Sequence, residues 1–148
     1  MKFLKHISGS VVYIPLVDVP VPAGFPSPAM DYMEERIDLT AQLAPHPLST
    51  YYLISEGDSM LDAPIPPKSI LVVDKSLTAK SGDIVIAHIN GGFTVKYIVF
   101  EGAKCLLVPA NKKKQYPVVE VTEDMEMIVW GVVTNIVIPS KNIRLCML

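Results

Sequence analysis

From Thr50 onward, short runs rich in strand-forming apolar residues are separated by Gly-, Pro-, Asn- or Lys-containing stretches, and over Phe93–Val99 side chains alternate with the period of two that belongs to strands rather than helices. The runs predict strands over Tyr51–Glu56, Ile70–Asp74, Asp83–Ile89, Phe93–Phe100, Lys104–Pro109, Val118–Val121 and Met127–Ile138, the last bending near Gly131. Asn90-Gly91-Gly92 joins two of them and is a hairpin signal, because tight two-residue turns need the positive φ that Asn and Gly adopt readily. Upstream the pattern changes. Residues 1 to about 27 are rich in Pro and Val and predict an extended arm; Ser27-Pro28 then offers a helix start, with Met30, Met33 and Ile37 at helical spacing. The expected fold is mainly β: a compact, mostly antiparallel domain over 45–148, preceded over 1–44 by an arm with a short helix, and no internal repeat is visible.

Composition narrows the partners. At 148 residues and 50% hydrophobic content the chain has enough apolar material for one cored domain and is not intrinsically disordered. Thirteen Lys and Arg against 15 Asp and Glu give a formal net charge of -2, so no net basic footprint drives phosphate binding and no direct nucleic-acid contact is expected. Lys112-Lys113-Lys114 is the one basic run, and after Pro109-Ala110-Asn111 it predicts a solvated turn. Cys105 and Cys146 lie far apart without metal-ligand spacing, which argues against a disulfide scaffold and against a bound metal. Val11-Val12-Tyr13-Ile14 is cut short by Pro15, Asp18 and Pro20, and Ile128 to Pro139 is interrupted by Thr134 and Asn135; neither a signal peptide nor a membrane span is expected, and the expected location is the cytoplasm.

Two short stretches carry candidate chemistry. Gly57-Asp58-Ser59-Met60 follows a strand pattern and places a serine where the chain turns; Gly92-Phe93-Thr94-Val95-Lys96-Tyr97 sets a lysine on a strand, on the face shared by Thr94 and Ile98. A serine at such a turn is most often a solvated or capping residue, and a strand lysine most often points to water. Together they offer a nucleophile and a base. The base needs help from its surroundings, because at pH 7 only about one ordinary lysine in a few thousand is neutral, and making the neutral form common costs about 4 kcal/mol against the charged one. Burial supplies that kind of penalty. His6 lies in the arm, His46 between prolines and His88 on the strand before the hairpin; none accompanies a nucleophile elbow or metal-ligand spacing, so histidine catalysis is set aside and no cofactor is implied.

A third stretch looks like a substrate. Pro20, Pro22 and Pro26 push their neighbours toward extended geometry around Ala23-Gly24, and a protease takes its substrate as an extended strand. Ala23 suits a small pocket, and Gly24 leaves the scissile nitrogen uncrowded.

Read in order, Ala23-Gly24-Phe25-Pro26-Ser27-Pro28-Ala29, Glu35-Arg36-Ile37-Asp38-Leu39, Gly57-Asp58-Ser59-Met60 with Asp62, Ile70-Leu71-Val72-Val73-Asp74, Gly82-Asp83-Ile84-Val85-Ile86-Ala87, Phe93-Thr94-Val95-Lys96 and Gly131-Val132-Val133 resemble the self-cleaving S24 serine peptidases, the family of the LexA repressor and the UmuD mutagenesis protein. The resemblance implies that fold, with Ser59 as nucleophile, Lys96 as general base, the Ala23-Gly24 bond as cleavage site within residues 1–44, and the backbone N–H groups of Asp58 and Ser59 as oxyanion donors. Those donors are main-chain, so a side-chain change at Asp58 does not itself remove them. UmuD-like proteins further imply a homodimer, activation by a RecA-type filament on single-stranded DNA after damage, and a trimmed form serving a Y-family (UmuC-like) polymerase in error-prone translesion synthesis. Three departures stand out. Pro22 removes one donor from the substrate strand; Ala63-Pro64-Ile65-Pro66-Pro67-Lys68-Ser69 replaces a glycine-richer loop; and too few residues precede Ala23 for a helix-turn-helix domain. Two other classes compete: a non-catalytic β adaptor retaining the fold, which has no need of Ser59, Lys96 and Ala23-Gly24 together, and a signal-peptidase-like enzyme, which the lack of an expected anchor disfavours.

Overall fold

A computed structural model describes residues 2–5, 14–18, 21, 23–25 and 33–142. Ten strands are present among them: β1 (Lys2–Lys5), β2 (Ile14–Asp18), β3 (Met33–Ile37), β4 (Thr50–Ile54), β5 (Ile70–Asp74), β6 (Ile84–Ile89), β7 (Gly92–Glu101), β8 (Lys104–Val108), β9 (Val119–Glu120) and β10 (Met127–Val137). One short helix, α1 (Leu39–Leu43), and a single 3-10 turn (Ser140–Asn142) complete the inventory. Eight strands form one antiparallel sheet in the order β1-β4-β5-β10-β6-β7-β8-β9, and β2 pairs with β3 in a separate ribbon. The fold is mainly β and antiparallel, as the strand-forming runs predict.

The strands from β4 onward coincide with the predicted runs to within two residues at either end, because each carries apolar residues that a pleated sheet sorts onto its two faces. Ile86 and Val95 join Leu53, Met60, Ile65, Leu71 and Val73 in one core, while Val85, Ala87, Ile98, Leu107 and Val132 form a second. Adjacent residues of β6 thus serve opposite cores, as a period of two requires.

Asn90 and Gly91 form the two-residue loop between β6 and β7, with φ of 48° and 83°. Two consecutive positive φ values match the twist of the flanking strands, which fixes the register at Ile89 opposite Gly92 and Val85 opposite Lys96.

Strand β10 lies between β5 and β6 and carries register shifts at Val129/Gly131 and Val133/Asn135, the bend expected near Gly131. Glycine is required there for space: a Cβ on Gly131 would stand 2.5 Å from Val73 Cγ1 and 3.5 Å from the Asp74 carbonyl oxygen.

The upstream segment departs from the sequence expectation. Met33–Ile37, expected within a helix, is strand β3, with Ile37 opposite Ile14 and Met33 opposite Asp18. Three apolar positions at helical spacing are a weak signal, and pairing with the β2 backbone overrides it. Ser27, Pro28 and Met30 lie outside the described residues. The helix that does form, α1, starts one residue after Asp38, whose carboxylate accepts a 3.1 Å bond from the Ala41 N–H as an N-cap. Within the predicted arm, β1 lies along β4 with Lys2 opposite Ile54 and Lys5 opposite Tyr51, so residues at the start of the chain extend the main sheet.

Asp74, at the end of β5, is buried and gathers bonds from Ser49 Oγ (2.9 Å), the Ser76 N–H (2.8 Å) and Ser76 Oγ (2.6 Å), with His46 Nδ1 at 2.6 Å. Burial pushes its carboxyl up, but the bonds from Ser76, His46 and Ser49 prevail and bring it from its ordinary 3.8 down to about 2. This accounts for His46, which ties the 46–50 turn to β5. His88 pairs across the hairpin with Phe93, ring centroids 4.8 Å apart, and not with Lys96. His6 lies outside the described residues.

Two stability measurements follow. Gly131→Ala should lower unfolding free energy by about 1–3 kcal/mol in urea titrations, since the added methyl must displace a core valine. For Asp74, the folded carboxyl is the stronger acid, so its contribution is complete above pH 4 and is lost as pH falls toward 2. Thermal melts across that interval should slope more steeply for the native chain than for Asp74→Asn.

Candidate active site

Ser59 sits in the turn after β4. The strand ends at Ile54, Ser55 is tied to the next loop by reciprocal backbone bonds (Ser55 N–H to the Ser69 carbonyl and Lys68 N–H to the Ser55 carbonyl, both 2.9 Å), and Gly57 turns the chain with φ of 74°. Beyond Ser59, Met60 and Ile65 are buried, and the Met60 carbonyl accepts from the Ala63 and Ile65 N–H groups. The proline-rich loop is pinned as well, its Pro66 carbonyl accepting from the Ser55 and Ser69 hydroxyls. Core side chains on one flank and a bonded loop on the other hold the serine turn.

The remaining support comes from β8. Its pairing with β7 ends at Val108 opposite Tyr97, one residue short of Lys96. Pro109 has no N–H to continue the ladder, and the chain leaves β7. Ala110 then bonds the serine turn: its N–H donates to the Ser59 carbonyl and its carbonyl accepts from the Asp62 N–H, each at 2.8 Å. Asn111 adds a 2.7 Å bond from Nδ2 to the Asp58 carbonyl. Beyond Tyr97 the neighbour of β7 is thus released from the sheet, and its backbone bonds go to the turn bearing Ser59.

The structure brings Ser59 and Lys96 together across 37 positions, with Nζ 3.0 Å from Oγ. Nζ also lies 2.9 Å from Thr94 Oγ1 and 2.9 Å from the Val95 carbonyl oxygen. A neutral amine has two N–H donors and one lone pair; with Thr94 and Val95 as acceptors, the lone pair is left for the serine hydroxyl. Both side chains are half-buried, and burial holds the Lys96 amine below its ordinary pKa. None of the ion pairs among the described residues involves Lys96.

Beside the pair is a cleft of about 220 Å³ lined by Ser59, Met60, Ile65, Phe93, Thr94 and Val95, among others. Its lining is mixed, with Ser55, Glu56, Ser59 and Thr94 beside Met60, Ile65, Phe93 and Val95. Phe93 is braced by Trp130, ring centroids 6.1 Å apart, and by His88. The N–H groups of Asp58 and Ser59 donate to no backbone carbonyl among the described residues. Ala23 and Gly24 are exposed, Phe25 is 94% exposed, and no described residue of this segment lines the cleft. The structure therefore joins Ser59, Asp58 and Lys96 but leaves Ala23-Gly24 outside their site. No group of His, Cys, Asp and Glu able to hold a metal ion occurs among the described residues.

Sequence reasoning missed the partners of the Asp58 side chain. Lys112–Lys114 is exposed, as expected of a solvated turn, but Lys114 Nζ reaches back 2.6 Å to Asp58 Oδ2, and the Tyr116 hydroxyl donates to Asp58 Oδ1. A long cation and an acid 56 positions apart leave no periodic signal.

Burial of Lys96 has a thermodynamic signature. The folded amine binds its proton less tightly than the unfolded one, so this group weakens the fold while protonated and ceases to do so as pH rises through the lysine range. Lys96→Met should melt higher than the native chain at pH 7, and the gap should shrink steadily toward pH 11.

No helix among the described residues is long and apolar enough to cross a membrane. The family model "Peptidase S24-like" matches residues 15–134. Protein MucA of Salmonella typhimurium is 43% identical over 116 residues, covering 78% of this chain and 77% of that protein. Protein SamA of Salmonella typhimurium strain LT2 is 38% identical over 128 residues, with 86% and 87% covered. The LexA repressor of Alcanivorax borkumensis is 31% identical over 137 residues, which are 93% of this chain but 65% of the repressor. A match spanning most of the strands, relatives of similar length and an antiparallel β fold agree: the chain belongs to the S24 peptidase family as a UmuD-like member.

Proposed function

We propose that this protein is a self-cleaving serine endopeptidase that cuts its own Ala23-Gly24 bond with Ser59 and Lys96. The observation that carries the reading is the 3.0 Å approach of Lys96 Nζ to Ser59 Oγ, with the other nitrogen directions occupied by Thr94 and Val95. Neutral Lys96 takes the hydroxyl proton as Ser59 Oγ attacks the Ala23 carbonyl carbon. The N–H groups of Asp58 and Ser59 receive the oxyanion. Collapse breaks the Ala23-Gly24 bond, the proton passes from Lys96 to the departing Gly24 amine, and Ala23 is left as an ester on Ser59. Water, deprotonated by Lys96, then attacks the ester, and the proton returns to Oγ as the acid leaves. Residues 1–44 act as the cleavable arm and 45–148 as the peptidase domain.

Because Ala23, Gly24 and Phe25 are exposed and apart from the cleft, the arm must dock before the bond can break. A partner that favours the docked arm speeds cutting by raising that population. UmuD-like membership supports the rest of the reading: a cytoplasmic homodimer, a RecA-type filament on single-stranded DNA as the activating partner after damage, and a trimmed form that serves a Y-family polymerase in SOS mutagenesis.

Incubated alone, the purified chain should yield fragments ending at Ala23 and beginning at Gly24 by mass spectrometry. The rate should rise from pH 7 toward pH 10 and level off as Lys96 becomes neutral, the plateau arriving below the ordinary lysine range. Ser59→Ala, Lys96→Ala and Lys96→Arg should not cut, the last because a guanidinium stays protonated throughout. Cutting by Lys96→Ala at the native rate would remove the base from the mechanism.

A further inference from the structure

Both oxygens of the Asp58 carboxylate are taken by side chains from one short segment beyond β8. Lys114 Nζ donates to Oδ2 at 2.6 Å and the Tyr116 hydroxyl to Oδ1. That segment is itself shaped by Asn111, whose Oδ1 accepts from the Lys113 and Lys114 N–H groups at 3.0 Å while its Nδ2 donates to the Asp58 carbonyl. A carboxylate held at two points cannot rotate freely, and the carbonyl of the same residue is held by Asn111. Asp58 lies between Gly57, whose φ of 74° marks a backbone without side-chain restraint, and Ser59. The residue most able to swing the nucleophile is the one so fastened.

We propose that Lys114 and Tyr116 are positioning residues for the Ser59 chemistry, acting through the Asp58 carboxylate to hold the Asp58–Ser59 main chain, and with it the two oxyanion donors, opposite Lys96. This rests on the reading of Ser59 and Lys96 as the reacting pair. It also gives the Lys112–Lys114 run a part to play that charge alone does not suggest.

The electrostatics fit the role. The hydrogen bond from Lys114, and after it that from Tyr116, holds the Asp58 carboxyl below its ordinary pKa, so the acceptor stays ionised wherever cleavage is measured. The bond from Asp58 in turn pushes both Lys114 and Tyr116 up, so both donors keep their protons at pH 9. The Lys114 side chain is 65% exposed, and ion pairs of that kind add little to global stability. Small displacements of a nucleophile are costly to rate, however, so the clamp affects cleavage far more than folding.

The test is the self-cleavage rate of the full chain at pH 9, with melting temperature measured alongside. Lys114→Met and Tyr116→Phe should each slow cutting about three- to tenfold with unchanged melting, the size expected when one exposed pair or bond is lost. Lys114→Arg should restore most of the rate. Asp58→Asn should be slow by itself, and adding Lys114→Met to it should slow it no further, since both act through one contact. Raising salt to 1 M should bring the native rate toward that of Lys114→Met and leave the variant unmoved. Native rates in Lys114→Met and Tyr116→Phe, or simple multiplication of the Asp58 and Lys114 effects, would overturn the clamp while leaving the Ser59 mechanism intact. A native chain that shows no Ser59-dependent cutting would overturn that mechanism and the clamp with it.

Discussion

The site depends on a half-buried amine that takes part in none of the ion pairs among the described residues. A lysine in an ion pair keeps its proton, and one fully in solvent does the same; Lys96 is in neither state. Its strand supplies the environment. Val95 beside it is buried in one core and Ile98 in the other, and the acceptors that engage Nζ are its own neighbours, Thr94 and the Val95 carbonyl. The amine is thus aimed by the strand that carries it, and only the serine has to be delivered from elsewhere.

Delivery is a matter of where one ladder stops. The Asn90-Gly91 loop sets β6 against β7 in a single register, and β8 follows β7 only as far as Tyr97. Had β8 continued by one more pair, residue 109 would have stayed in the sheet beside Lys96. Pro109 ends it, and Ala110 hands its backbone bonds to Ser59 and Asp62. A missing N–H in one strand and a two-residue turn in another bring together residues 37 positions apart.

Much of this was legible in the chain, for identifiable reasons. Strands β4 to β10 announce themselves as short runs rich in β-branched and other apolar residues between turn signals, and the hairpin does so because Asn90-Gly91 has few other uses. Ser59 and Lys96 were legible as a pair through family motifs; periodicity alone leaves each with an ordinary explanation. The β2–β3 ribbon was not legible, since Met30, Met33 and Ile37 mimic a helical stripe and the deciding interaction is with another segment. Nor was the Asp58 clamp, because contacts between distant exposed polar residues impose no pattern on either partner's neighbours.

One edge strand of the large sheet is β1, whose four residues precede Ala23 in the chain and run beside Tyr51–Ile54. Hydrolysis at Ala23-Gly24 would leave the released segment, which carries both β1 and β2, held only by the pairing of β1 with β4 and of β2 with β3. Its departure would bare the amides and carbonyls along the outer margin of β4, a template on which another extended chain can be laid. Cleavage there would do more than shorten the polypeptide: it would convert a finished border into an adhesive one.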